Sequence, residues 1–178
     1  MRSSLIFLSF LNDADVAWIV QVCRKRNLSP GEVLIERGAV NKDIYLLLEG
    51  KCSITAANNL SLGEVVSGDL IGEVSYVDER RTNAQVRAQS SVVLAHLSAL
   101  VLNGKMQADL GFASRFYQGV ASVLAFRLRR NLQATFDQKS NLLSSSEEFE
   151  SEIDSKDLDT TARSGARLDF MLKALIAS

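Results

Sequence analysis

Between Gly31 and Ser98 the chain is cut into short apolar runs that no long helix can contain, at 32–35, 44–48, 52–56, 60–66, 84–88 and 92–97. Turn-forming clusters such as Ser29-Pro30-Gly31, Glu49-Gly50 and Ser67-Gly68-Asp69 separate most of them. Glycine pays the largest backbone entropy in a helix, and proline both removes a donor and clashes with the preceding turn. Runs of this length bounded by turn residues read as strands. Many short strands at close spacing predict an antiparallel roll, barrel or sandwich.

Helical periodicity returns on both flanks. Asn12 or Asp13 can cap a helix reaching Arg24, with Val16, Ile19, Val20 and Cys23 on one buried face. The apolar run 5–11 follows Arg2, but Ser9 interrupts it and no small-residue cleavage site follows, so it is expected in the core rather than in a leader. After Ser98 the spacing predicts one helix over 99–108 and a second over 112–134. Phe112, Phe116, Val120, Val123 and Leu124 line one side of the second, with Tyr117, Ala121 and Leu128 beside them. Such a stripe fits either its own roll or a homodimer through 112–134. Arg127, Arg129 and Arg130 fall in the last turns, where cations complement the carbonyl end of the helix.

The 178 residues suffice for one sizeable core and an appendage. A net charge of −1 supplies no global attraction for nucleic acid or anionic lipid. Cys23 and Cys52 make no C-x-x-C pattern and no disulfide framework, which suits a reducing cytoplasm. His96 is the only histidine, so sites needing two imidazoles are excluded, and it is expected to pack on a strand. No metal site and no acid–base pair or nucleophilic triad is expected, and therefore no catalytic residue. No run approaches the roughly 20 apolar residues that span a bilayer, so membrane insertion is not expected.

These boundaries divide the chain into a domain at 1–137, an acidic serine-rich linker at 138–159 and a terminal amphipathic helix at 160–178. The last two together carry eight acids against five bases. Leu168, Met171, Leu172 and Leu175 share one face of the terminal helix, with Thr160 or Thr161 as its cap. That face is expected either to fold back on the domain or to bind a protein partner's groove.

The segment richest in chemistry runs from Gly68 to Ala88. It offers a glycine turn, a helical turn opening at Gly72-Glu73, the adjacent Arg80 and Arg81, and then a strand. Backbone N–H groups after a glycine turn, a guanidinium and a nearby carboxylate suit a small anion bearing a sugar. In Pro30-Gly31-Glu32-Val33-Leu34-Ile35-Glu36-Arg37-Gly38, Ile44-Tyr45-Leu46-Leu47-Leu48-Glu49-Gly50 and Gly68-Asp69-Leu70-Ile71-Gly72-Glu73, the chain resembles the cyclic nucleotide-binding domain family over most of residues 5–134. The Gly72–Val86 stretch is similar to a free-standing bacterial subgroup with a divergent phosphate-binding cassette.

The resemblance implies a mainly β antiparallel roll of eight strands, an N-terminal helix and two closing helices. It also implies a cyclic AMP or cyclic GMP ligand held by Gly72, Glu73, Val74, Ser75, Arg80, Arg81, Thr82, Asn83 and Ala84. Glu73 would take the ribose hydroxyl, and the backbone at Gly72–Val74 the phosphate. The family's arginine stands two residues before the alanine of its Ala-x-Val strand, a position that is Thr82 here. Either Arg81 substitutes, or the phosphate lacks an ionic partner. A second expectation is that Glu73 pairs with Arg80 or Arg81 in a degenerate cassette holding no nucleotide. The roughly 40 residues after the long helix are too few and too acidic for the family's helix-turn-helix, so DNA is not an expected partner. What remains is a non-enzymatic sensor acting through an unidentified protein, or a structural adaptor in a larger complex.

Overall fold

Eight strands form two four-stranded antiparallel sheets in the computed structural model, which describes residues 3–140 and 155–176. Helices α1 (Ser3–Phe10) and α2 (Asp13–Val22) lead into β1 (Arg24–Leu28), β2 (Val33–Ile35), β3 (Ile44–Glu49), β4 (Lys51–Thr55), β5 (Ser61–Val66) and β6 (Leu70–Ile71). The short helix α3 (Glu73–Asp78) precedes β7 (Gln85–Ala88) and β8 (Val92–Leu97), followed by α4 (Ala99–Ala108), α5 (Leu110–Ser140) and α6 (Ser155–Ile176). The sheet orders are β1-β8-β3-β6 and β2-β7-β4-β5.

Strand β3 shows why the sequence makes a two-sided sheet. Tyr45 and Leu47 point into the roll with Leu34, Val65 and Val86, while Ile44, Leu46 and Leu48 point out beneath the helices. A strand alternates faces with period two, so an unbroken apolar run is the signature of burial on both sides. The outer core is completed by Phe7, Leu8 and Leu11 of the N-terminal segment, Phe112, Phe116, Val120 and Val123 of α5, and Leu168, Met171 and Leu175 of α6.

Side-chain caps, one local and one distant, fix where α2 and α4 begin. Asn12 and Asp15 form a reciprocal capping box on α2, the Asp15 N–H donating to Asn12 at 2.8 Å and the Asn12 N–H to Asp15 at 2.9 Å. Asp43 Oδ1 accepts the Ala99 N–H at 2.8 Å, so α4 is capped from a distant loop rather than by Ser98. At Gly119 the helices α1 and α5 meet so closely that a Cβ would lie 2.9 Å from the Phe7 ring and 3.0 Å from its carbonyl oxygen.

Several boundaries differ from expectation. The first helix predicted from Asn12 to Arg24 ends at Val22, and Arg24–Leu28 pairs with β8 as an edge strand. Its charged sequence has no β pattern; the partner strand imposes extension. The two-residue β6 also carries no periodicity of its own. Helix α5 begins at Leu110 and runs to Ser140, past the expected end at 134, and α6 starts at Ser155, ahead of the expected threonine caps. The predicted linker therefore has helix at both its ends, and its remainder, 141–154, lies outside the described residues. His96 sits on β8 as expected, stacked on Tyr45 with centroids 5.0 Å apart, with Nε2 2.8 Å from Asp43.

Candidate functional site

Gly72 turns the chain from β6 into α3 with φ +94°, a conformation that L side chains rarely adopt. A Cβ there would lie 2.3 Å from the Asp43 carbonyl oxygen, so the turn needs glycine for space as well as for torsion. Immediately after it, Glu73 points inward and is only 2% exposed. Tyr76 fixes the other face of α3 by donating to Asn103 Oδ1 on α4 at 2.7 Å.

The partner of Glu73 is Arg127 of α5, which also donates to the Leu70 carbonyl at 2.6 Å and to Ser3 Oγ at 3.3 Å. Ser3 is itself bound to the same loop: its hydroxyl donates to Asp69 Oδ1 at 2.9 Å and accepts the Leu70 N–H at 2.9 Å. One guanidinium thus joins the cassette, the start of α1 and the closing helix. Burial pushes the Glu73 carboxyl above the usual carboxylate range, while the Arg127 charge opposes that rise. The expected pairing of Glu73 with Arg80 or Arg81 is corrected by this contact, because Arg127 reaches the carboxylate from the helix side.

A cavity of about 320 Å³ opens between the cassette, β5 and α5. Ile35, Ile54, Val65, Ile71 and Val86 supply its apolar lining, and Arg127, Arg130 and Phe126 face it from α5. Gly72, Glu73, Val74, Ser75, Arg81, Thr82, Asn83 and Ala84 all line it, so eight of the nine expected ligand residues converge. Arg80 does not; its N–H donates to Asp78 and it is exposed. Arg81 lies on the rim and donates to the Gly38 carbonyl at 2.9 Å. Thr82 is buried, and its hydroxyl donates to the Glu36 carbonyl at 2.5 Å, with the Ala39 carbonyl at 3.4 Å. The position of the family's arginine is therefore held by a hydroxyl committed to the loop after β2.

Residues 25–109 match the family model of the cyclic nucleotide-binding domain. The roll is a cyclic nucleotide-binding domain. None of the curated proteins matches the chain in sequence. Among solved structures, the domain is similar to a cyclic nucleotide-binding domain from Methylobacillus flagellatus KT (17% identity, 78% of each chain, TM-score 0.66). It is also similar to the N-terminal domain of a transcriptional regulator from Streptomyces coelicolor A3(2) (24% identity, 77% of this chain and 90% of that one, TM-score 0.56). A third is the regulatory subunit of a cAMP-independent protein kinase A from Trypanosoma brucei, at 22% identity over 77% of this chain and 45% of that one, TM-score 0.55. At these identities the likeness is one of fold.

Arg127, which the sequence presents as a cation complementing the helix end, is instead the partner of Glu73 at the cavity wall. Its signal was spacing: Arg127 continues the series Phe112, Phe116, Val120 and Val123 on the buried face of α5. An arginine where the helix stripe calls for an apolar residue implies a buried carboxylate opposite. The other expected docking residues are also placed. Leu168, Met171 and Leu175 are buried and Leu172 is partly buried against the chain's own outer core. Phe112, Phe116, Val120 and Val123 are likewise internal, while Leu110, Tyr117, Leu128, Leu132 and Phe136 are exposed on α5.

Among the described residues, no group of three metal-ligating side chains converges. No single described helix is long and apolar enough to cross a membrane.

Proposed function

We propose that the chain is a non-enzymatic regulatory module whose cavity takes a small ligand of the cyclic nucleotide class, and that the ligand acts by competing with Arg127 for Glu73. The observation that carries this reading is the inward carboxylate at the wall of an open cavity, held by a side chain of the closing helix. A ribose hydroxyl donating to Glu73 would free Arg127, and α5 would then settle differently against the roll. Binding shifts such an equilibrium only by the difference in affinity between its two states. The output is contact with another protein in the cytoplasm, made by whatever the helices then expose.

Affinity is expected to be weak. A phosphate without a charged partner forgoes about 1.5–3 kcal/mol, roughly 10- to over 100-fold in Kd. Titration calorimetry with cyclic AMP and cyclic GMP tests the reading on the wild-type chain, Arg127→Met and Glu73→Ala. The expected pattern is weak heat for the wild type, tighter binding once Arg127 no longer competes, and none after Glu73→Ala. Silence from all three with both nucleotides would overturn it. The adaptor reading draws on the committed hydroxyl of Thr82 and the paired Glu73, which together resemble a cassette closed on itself. It requires that Glu73→Ala leave partner capture unchanged in a pull-down.

A further inference from the structure

Helix α6 is joined to the cavity through α1. Ser3, at the start of α1, shares Arg127 with Glu73 and bonds Asp69 and Leu70 in the cassette loop. Along its length α1 is clamped to α5, with Phe7 edge-on to Phe116 at 5.1 Å and pressed against Gly119. At its far end the Leu8 carbonyl accepts from Arg167 of α6 at 3.0 Å, and the same guanidinium donates to Asp13 at 2.8 Å. A single eight-residue helix thus touches the cassette, the closing helix and the terminal helix.

Helix α6 brings three buried apolar residues to the outer core, against four from α5, among the described residues. Among the described side chains, its apolar purchase is Leu168, Met171 and Leu175, supported by Leu172 and Ile176. Its polar latches include Arg167 on the part-buried Leu8 carbonyl and on Asp13, whose side chain is 90% exposed, and Lys25 donating to the Ile176 carbonyl at 2.8 Å at the surface. Elements held by few buried contacts and exposed polar ones open at lower free energy than the core.

We propose that α6 is a releasable strap: drawing Glu73 away from Arg127 loosens α1 at Ser3, and α1 in turn releases the apolar face of α6. The proposal rests on the reading of the cavity as a ligand site for its trigger, but the coupling is a property of the unliganded chain. Its released form is an amphipathic helix with Leu168, Met171, Leu172 and Leu175 at the spacing that fills an apolar groove of a partner protein.

Hydrogen exchange of the full-length chain by mass spectrometry tests the coupling without ligand. Arg127→Met is expected to speed exchange across 162–176 by about tenfold relative to β3 and β8, a usual size for coupling between sites. Glu73→Gln, which keeps the side-chain volume and one acceptor, should move the same peptides in the same direction by less. Val92→Ala inside the roll, compared at matched global stability, should leave the ratio of α6 to roll exchange as in wild type. Coupling is reciprocal, so Met171→Asp should speed exchange across 69–78. An unchanged ratio in both Arg127→Met and Glu73→Gln, or an equal change in Val92→Ala, overturns the strap. Because no nucleotide is present, that failure is distinct from calorimetric silence.

Discussion

Removing Arg127 and removing the charge of Glu73 are unequal losses. Arg127→Met strands a carboxylate that is almost wholly buried, which costs about 3–5 kcal/mol. Glu73→Gln leaves a neutral acceptor and should cost less, as separate urea melts at pH 7 would show. The pH dependence has a definite sign. A carboxyl whose folded pKa lies above its unfolded one stabilises the fold below the unfolded value and loses that contribution as pH rises through the folded value. With Arg127 gone, the main opposition to the rise that burial imposes on Glu73 is lost, so the melting temperature of Arg127→Met should recover toward wild type between pH 7 and pH 5. Asp15 works in the opposite direction. Burial alone would raise its pKa, but the Arg115 guanidinium, bonded at 2.6 and 2.8 Å, and the Asn12 N–H outweigh it and hold the carboxyl low. Its contribution is present above the unfolded carboxylate range and lost as pH falls through the folded value. Asp15→Ala should therefore destabilise the chain at pH 7 by about 2–3 kcal/mol, since cap and ion pair go together and Arg115 is partly solvated, and should flatten its acid unfolding.

At the scale of elements, the strands and the helices differ in what specifies them. Residues 44–48 and 92–97 carry enough apolar character to be recognised alone, whereas Arg24–Leu28 is a strand because β8 offers it an edge, with Arg24 opposite His96 and Leu28 opposite Val92. The terminal helix belongs between these cases. Its amphipathic stripe is plain in the sequence, but a helix within a protein gains most of its stability from packing its apolar face rather than from propensity. The same stripe would serve a partner's groove equally well. The α1–α2 corner decides where it sits in this chain. Met171→Ala, which empties a fully buried position on α6, should lower global stability by about 2–5 kcal/mol if α6 unfolds with the rest. A urea melt followed by far-ultraviolet circular dichroism measures this directly, and a minor early transition in place of a shifted midpoint would identify α6 as a separately melting unit.

For the whole molecule, the sheet containing β3 is a partition between two cores, and one strand feeds both. Leu47 faces the roll interior and Leu48 the helical side, each essentially inaccessible. Leu47→Ala and Leu48→Ala should each cost about 2–5 kcal/mol, and each should shift helix and sheet signals together, since neither core can dissolve without disturbing their common wall. Separate melting of helices in Leu48→Ala would contradict this. The sequence alone determined the roll and the flanking helices, because these follow from short-range chemistry: turn glycines, two-residue alternation and helical stripes; the cassette residues that line the cavity were legible only through the family resemblance. Tertiary structure decided what those residues do to one another. The arginine that meets Glu73, the commitment of Thr82 to the loop after β2 and the seating of α6 across α1 are encounters between distant segments. An ion pair at a separation of 54 residues leaves no local periodicity to read; a charged residue on an apolar stripe shows only that a partner is required, and the fold alone selects it.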